Sequence, residues 1–170
     1  MIQPLFSYLR TDLVLFSHAS SVKEIVQQLI RQGHSQGVIP DVDHFYEAII
    51  EREKIVSTAV GMGVAIPHAK QSQLSCFFVI IGILKHPIDW KTEEEVSFER
   101  KFLEKNPKTP FSEPLPVSLV FLIGGPDDRQ TEYLQLLSHL TRAIRDEKTQ
   151  KKLLTITSSQ AVMDLFKDLT

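Results

Sequence analysis

A histidine that directly follows a proline is the residue of this sequence best placed to do chemistry. In residues 51–70, which read EREKIVSTAVGMGVAIPHAK, a short apolar run ends at Pro67 and His68 comes next. Because Pro67 fixes its own φ and restrains Ile66, His68 is expected to leave the predicted strand in a constrained direction. A neutral imidazole presented in this way can accept a phosphoryl group on a ring nitrogen. Taken alone, however, a histidine after a strand more often makes a structural hydrogen bond.

Groups that could bind a phosphoryl group lie just upstream of this histidine. Ser57 and Thr58 offer hydroxyls, and Arg52, near the end of a predicted helix, offers a fixed positive charge. Gly61 and Gly63 allow close approach of the backbone and unusual dihedral angles. Each polar group also has an ordinary alternative role, since the hydroxyls could serve a turn and Arg52 could be a solvated helix end.

Other chemistries lack their motifs in this chain. The six histidines form no close pair, and Cys76 is the sole cysteine, so no zinc-like ligand spacing is present. A serine hydrolase would need a nucleophile elbow, which is missing. The glycines at 61 and 63 lack the rest of a dinucleotide-binding or phosphate-loop motif.

Strands that alternate with helices are predicted to position these residues. Continuous apolar runs at 76–84 and 117–123 predict central strands that are covered on both faces, with Cys76 buried. Two helix starts are indicated, the first capped by Ser20 or Ser21 with Glu24 three residues after Ser21, and the second by Asp41 or Asp43. A helix is predicted from about 129 to 145, and two more close the chain at 148–154 and 160–169. The buried stripe expected on the first of these helices consists of Leu134, Leu137, Leu140 and Ile144. This alternation predicts an α/β sandwich in one domain, residues 1–170.

A charged segment between the two central strands fits this pattern poorly. Residues 91–116, hereafter the inserted segment, contain Pro107, Pro110, Pro114 and Pro116. Residues 93–104 could form one surface helix, and the remainder is predicted to be extended. The inserted segment could be a mobile flap, an interaction element or an inert insertion, which chain entropy tolerates easily.

Bulk composition excludes several classes of protein. The chain has 42% hydrophobic and 24% charged residues and a formal charge of −2, so no basic surface for nucleic acid is predicted. Its apolar runs are too short for direct membrane insertion, and residues 1–12 lack the layout of a signal peptide. With one cysteine, no internal disulfide can form, and a cytoplasmic location is expected.

The run R-E-x-x-x-S-T-x-x-G-x-G-V-A-I-P-H, residues 52–68, closely resembles a known family signature. It is similar to the signature of the fructose–mannitol type of phosphotransferase-system (PTS) IIA domains, which the nitrogen-regulatory IIA proteins share. Residues 87–90 match that family's turn after a strand, and residues 117–126 its strand-then-proline segment. The resemblance implies a mixed β-sheet flanked by helices, an α/β/α sandwich. It also implies that His68 is the phosphorylated residue and that Arg52 belongs to the active site.

The resemblance implies a mechanism without metal or organic cofactor. An HPr-like phosphocarrier protein would pass a phosphoryl group to Nε2 of His68, giving a phosphohistidine intermediate. The other ring nitrogen should be held by a carbonyl or a hydroxyl, and the imidazole should be neutral at cytoplasmic pH. Arg52, Ser57, Thr58 and nearby backbone N–H groups are the candidates for binding the phosphoryl oxygens.

The chain departs from the family pattern at one site position. Where the family usually has a second active-site histidine, this sequence has Tyr133. Tyrosine can donate a hydrogen bond to a phosphoryl oxygen but brings no titratable positive charge at neutral pH. His139 lies six residues further on and is expected to face elsewhere on the helix.

Three functions remain open from the sequence. The chain could be a transport component, a phosphotransferase that passes phosphate from His68 to a IIB domain. It could be a regulator, in which phosphorylation switches the protein target that it binds. It could also be an interaction module that has lost phosphorylation. The absence of a IIB or membrane segment in these 170 residues favours the regulator. Tyr133, in place of the second histidine, favours the regulator or the interaction module. The interaction module is disfavoured by the presence of Arg52, Ser57, Thr58 and His68.

Overall fold

A six-stranded mixed sheet organises the chain, and the computed structural model describes residues 4–108 and 114–169 of it. The strands run in the order β1-β5-β6-β3-β2, and β4 also pairs with β6. Strands β1, β3 and β4 have parallel partners, whereas β5–β6 and β2–β3 are antiparallel. The strands are β1 Val14–Ser17, β2 Ala59–Gly61, β3 Val64–Ala65, β4 His68–Lys70, β5 Phe78–Asp89 and β6 Pro116–Gly125.

Six α-helices and two short 3-10 turns surround the sheet within the described residues. Ser21 caps α1 by accepting a hydrogen bond from the Glu24 N–H, and Asp41 caps α2 by accepting one from the His44 N–H. Both predicted helix starts are therefore confirmed. The helices are α1 Val22–Ser35, α2 Val42–Ile55, α3 Glu93–Lys105, α4 Gln130–Ile144, α5 Glu147–Thr155 and α6 Ser159–Leu169, and the 3-10 turns are Leu5–Tyr8 and Thr11–Leu13.

Two apolar layers, one on each face of the sheet, confirm the α/β/α sandwich. Alternate residues of β5 point to opposite layers: Val79 and Ile81 face α4, α5 and α6, whereas Phe78 and Ile80 face α1 and α2. A strand covered on both faces is apolar at nearly every position, which is why its sequence shows no alternation.

The predicted stripe of α4 was placed partly on the wrong face. Leu140 and Ile144 are buried as expected, but Leu134 is 53% exposed and Leu137 is only partly buried. The core positions are instead Tyr133 and Leu136. Both sets of residues have helical spacing, and the stacking of Tyr133 on Phe77 selects the second.

Two smaller predictions also fail at the ends of elements. Cys76 is exposed because it precedes β5, which begins at Phe78. Residues 87–90 form no turn after the strand, since Ile88 and Asp89 continue β5 and pair with Val117 and Pro116 after a shift in register.

The inserted segment begins with the predicted surface helix. Helix α3 has no buried residue, and ion pairs from Glu93 to Lys23 (3.4 Å) and from Glu94 to Lys54 (3.0 Å) connect it to α1 and α2. The extended part predicted after this helix falls largely on residues 109–113, including Pro110, which lie outside the described residues. The Trp90 N–H donates to the Leu115 carbonyl (2.9 Å), so the two ends of the inserted segment lie side by side.

Within residues 4–108 and 114–169, no helix combines the length and the apolar character needed to cross a bilayer. The same residues contain no group of three or more His, Cys, Asp or Glu side chains that could hold a metal ion.

Candidate functional site

His68 is the first residue of β4, which pairs with β6. Strand β3 runs along β6 with Ala65 opposite Val120, and the chain rejoins the same strand with His68 opposite Ile123. At the break between them, the Pro67 carbonyl accepts a hydrogen bond from the Ile123 N–H (2.9 Å). The prediction that His68 leaves the sheet is therefore wrong. The strand is interrupted at Ile66 and Pro67, and pairing of β4 with β6 then fixes the position of the histidine.

The imidazole of His68 is oriented by a backbone carbonyl. Its Nδ1 lies 2.8 Å from the Ile66 oxygen. Because a carbonyl can only accept, Nδ1 carries the hydrogen and Nε2 keeps its lone pair. The expectation that a carbonyl or hydroxyl holds one ring nitrogen is confirmed.

The ring of His68 is favoured in its neutral form. Burial lowers the pKa of His68 below its usual 6.5, the hydrogen bond to Ile66 opposes this shift, and the positive charges of Arg52 and Lys70 add to it. At neutral pH the ring is therefore a nucleophile with an available lone pair.

Tyr133 packs against His68 from the first turns of α4. The ring centroids of His68 and Tyr133 are 5.8 Å apart, and Phe77 stacks on the other side of Tyr133 at 6.0 Å and 21°. Gly125 leaves room for this stack, since a Cβ at that position would come within 2.0 Å of Phe77. Burial raises the pKa of Tyr133 to about 12, against the opposing effect of Arg52. Its hydroxyl therefore remains protonated and able to donate.

Two positive charges flank this aromatic pair. Lys70 Nζ lies 4.6 Å from the centroid of the Tyr133 ring and bonds the Gln130 side chain. The Arg52 guanidinium donates to the Val56 carbonyl (2.9 Å). Neither cation has a carboxylate within ion-pair distance in the described part of the chain. An incoming anion could therefore interact with both.

Lys70 was not among the predicted site residues, although its position in the sequence contains the signal. It lies two residues after His68 on the same strand, so both side chains point to the same face of the sheet. The intervening Ala69 is buried in the layer formed with α1 and α2. His68 and Lys70 therefore both face α4.

The two predicted hydroxyls differ in their availability. Ser57 is exposed, and its oxygen accepts from the Ala59 N–H (3.2 Å), which leaves the hydroxyl proton for another acceptor. Thr58 is buried, and its hydroxyl donates to the carboxylate of Glu53 (2.6 Å). Thr58 thus stabilises the loop through Glu53, another residue to which the sequence analysis gave no role.

A tight hairpin borders the site. Gly61, Met62 and Gly63 link β2 to β3 with φ values of 85°, 57° and 77°. Glycine adopts this left-handed region without strain, which explains the two glycines of the signature, whereas Met62 is the one non-glycine residue with positive φ among those described. Four apolar side chains in this part of the chain are exposed, namely Ile55, Val56, Val60 and Met62. An apolar surface of this kind suits contact with a protein.

The chain matches a family model over nearly its whole length. The family is described as "Phosphoenolpyruvate-dependent sugar phosphotransferase system, EIIA 2", and the matches cover residues 7–103 and 101–169.

Among characterised proteins, two similar relatives differ in their described roles. A nitrogen regulatory protein of Bradyrhizobium diazoefficiens is 32% identical over 117 residues, which cover 69% of this chain and 64% of that relative. The chain thus spans slightly less than two thirds of that protein. A fructose-specific EIIA component of the PTS of Haloferax volcanii is 27% identical over 159 residues, covering 93% of this chain and 91% of the relative.

Solved structures show the same fold. The nitrogen regulatory protein IIA-Ntr of Neisseria meningitidis aligns with a TM-score of 0.76 at 20% identity, over 95% of this chain and 98% of that one. The mannitol IIA enzyme of Escherichia coli, in its complex with phosphorylated IIB enzyme, aligns with a TM-score of 0.71 at 19% identity, over 94% and 97% of the two chains.

Proposed function

The chain belongs to the EIIA type 2 family of the phosphoenolpyruvate-dependent sugar phosphotransferase system, and we propose that it carries its phosphoryl group on Nε2 of His68. Domains of this family transfer phosphoryl groups through a histidine. The observation that carries the assignment is the hydrogen bond from Nδ1 of His68 to the Ile66 carbonyl. This bond directs the hydrogen to one nitrogen and leaves the lone pair on the other.

In the proposed reaction, the phosphoryl group comes from the phosphohistidine of an HPr-like carrier protein. The Nε2 lone pair of His68 forms the new P–N bond in line with the P–N bond that breaks, and the electron pair of the broken bond returns to the donor nitrogen. Positive charge develops on the His68 ring as the new bond forms. The Ile66 carbonyl stabilises this charge through the Nδ1–H bond.

The residues around His68 divide into groups that bind phosphate and groups that support the loop. Arg52 and Lys70 would neutralise the charge of the phosphoryl oxygens, with hydroxyl donors from Ser57 and Tyr133. Thr58 was predicted to bind these oxygens directly. Its hydroxyl hydrogen bond to Glu53 supports a role in holding the loop.

A IIB domain is the proposed recipient in a transport role, as in the complex of the similar mannitol enzyme. A regulatory role is the second candidate, and two observations favour it. Tyr133 replaces the second histidine, and one relative above 30% identity is a nitrogen regulatory protein. An unphosphorylated interaction module is less well supported, because it would leave two uncompensated positive charges beside an oriented imidazole without a role. In either leading role, the proposed location is the cytoplasm.

Phosphate labelling tests the assignment of His68. The protein, an HPr-like carrier, the enzyme that charges the carrier and labelled phosphoenolpyruvate should give acid-labile label on this chain. His68→Ala should abolish the label, whereas His86→Ala, at an exposed histidine on β5, should keep it. Label that persists in His68→Ala would refute the proposal. Addition of IIB domains then separates the roles, since loss of label to a IIB domain supports transport and retention supports regulation.

A further inference from the structure

A buried carboxylate lies below the loop that precedes the proposed phosphoryl acceptor. Glu53 is 3% exposed and accepts three hydrogen bonds. The Thr58 N–H (2.8 Å) and the Trp90 Nε1–H (2.8 Å) donate to one oxygen, and the Thr58 hydroxyl (2.6 Å) donates to the other. Burial of a carboxylate is costly unless donors surround it, so this arrangement is strongly specified.

The same hydrogen bonds continue to His68. The Thr58 carbonyl accepts from the Ile66 N–H (3.0 Å), and the Ile66 carbonyl accepts from Nδ1 of His68 (2.8 Å). An unbroken path therefore runs from Trp90 through Glu53, Thr58 and Ile66 to the imidazole. At the far end of this path, the carboxylate of Glu53 and the indole of Trp90 are joined by a hydrogen bond of 2.8 Å.

We propose that Glu53 and Trp90 are positioning residues that hold the Ile66 carbonyl in place and thereby keep His68 in the tautomer with a free Nε2. The inference rests on the proposed function for its catalytic meaning, because it assumes that Nε2 is the acceptor. Removal of the indole donor would leave Glu53 under-satisfied, and the Thr58–Ile66 connection would relax. The fraction of His68 with the hydrogen on Nδ1 would then fall, and with it the fraction able to accept phosphate.

Glu53 and Trp90 are also connected to the inserted segment. Trp90 directly precedes the inserted segment, and its N–H bonds the Leu115 carbonyl near the end of that segment. Lys54, the neighbour of Glu53, forms an ion pair with Glu94 of α3. Trp90, which donates to Glu53, is thus also bonded to the inserted segment, and the neighbour of Glu53 forms an ion pair with it.

The variant Trp90→Phe tests this proposal because it keeps an aromatic ring and removes the donor. Nitrogen-15 NMR of the unphosphorylated protein reports the tautomer of His68, and the initial rate of labelling reports phosphoryl acceptance. Weakening one hydrogen bond of ordinary strength corresponds to about a fivefold effect. We expect the population with hydrogen on Nδ1 and the labelling rate to fall together by about that factor.

Two further variants keep the test decisive if Trp90→Phe folds poorly. Glu53→Gln preserves the shape of the side chain, removes its charge and should change the tautomer in the same direction. Ile88→Val, in the same apolar layer, removes a methylene group and should change neither readout. Folded Trp90→Phe or Glu53→Gln protein with the wild-type tautomer would overturn the inference, as would a lower rate without a tautomer change.

The outcomes also separate this inference from the proposed function. If the variants shift the tautomer but even the wild-type protein takes no label on His68, the proposed function fails and the positioning role stands. If the wild-type protein is labelled on His68 and the variants keep its tautomer and rate, the positioning role fails and the proposed function stands.

Discussion

Replacement of Tyr133 by phenylalanine separates packing from phosphoryl binding at the site. The ring would remain between His68 and Phe77, where the centroid distances are 5.8 and 6.0 Å, and only the hydroxyl would be lost. Among the described residues, none accepts a hydrogen bond from this hydroxyl, and no fully buried polar side-chain atom lacks a partner, so the hydroxyl must retain contact with solvent. It is therefore available to an incoming anion.

The expected magnitude follows from the charge of the acceptor. A hydrogen bond to a charged group contributes about 1.5–3 kcal/mol, so Tyr133→Phe should lower the equilibrium constant for phosphorylation by roughly 10- to 150-fold. The free energy of unfolding should change by less than about 0.5 kcal/mol, since no protein hydrogen bond is lost. The labelled fraction at equilibrium with a phosphorylated HPr-like carrier measures the first quantity, and urea unfolding measures the second.

Tyr8 provides a matched control on the same side of the sheet. It is also buried, but its hydroxyl donates to Glu132 (2.9 Å). Tyr8→Phe should therefore lower the free energy of unfolding by about 1 kcal/mol and leave the phosphorylation equilibrium unchanged. If Tyr133→Phe shows the wild-type equilibrium, Tyr133 serves only for packing and the phosphoryl group is bound without it.

Three further results are expected. Burial lowers the pKa of folded His68, so the unfolded chain binds more protons below pH 6.5 and the free energy of unfolding falls there, whereas above pH 6.5 this loss is absent. Urea unfolding at pH 7.5 and 5.5 should therefore show a smaller decrease in the free energy of unfolding for His68→Asn than for the wild-type protein. Gly125→Ala should cost about 1–3 kcal/mol because its Cβ would overlap Phe77, and Gly63→Ala about 1–2 kcal/mol from positive φ alone; equal labelling rates in both variants would contradict a role for the Phe77 stack. Lys70→Met should slow labelling most at low salt, and a rate difference that does not shrink with added salt would argue against a charge effect.

The parts of the site that are continuous in the sequence could be predicted. His68 and the glycines around Met62 lie in one short signature, and the helix caps at Ser21 and Asp41 depend on residues three positions apart. These features follow from local stereochemistry and short-range hydrogen bonds. A sequence presents such relations directly.

The remaining features depend on contacts between distant residues. The packing of Tyr133 on Phe77 decides which face of α4 is buried. Helical periodicity alone cannot distinguish this face from the neighbouring one that carries Leu134 and Leu137. The hydrogen bond between Glu53 and Trp90 joins residues 37 positions apart, and each residue has an ordinary role when it is considered alone. The return of the chain to β6 after Pro67 likewise requires knowledge of the partner strand, since proline normally ends a strand.

Trp90 is the only tryptophan in the sequence, and its indole N–H is bonded to a carboxylate inside the protein. Light of a wavelength longer than the tyrosine absorption band would excite this one side chain. The wavelength and intensity of its fluorescence emission should therefore report, without any added dye, whether the hydrogen bond between Trp90 and Glu53 is intact. A stopped-flow fluorimeter could then follow in real time how a bound protein disturbs that hydrogen bond.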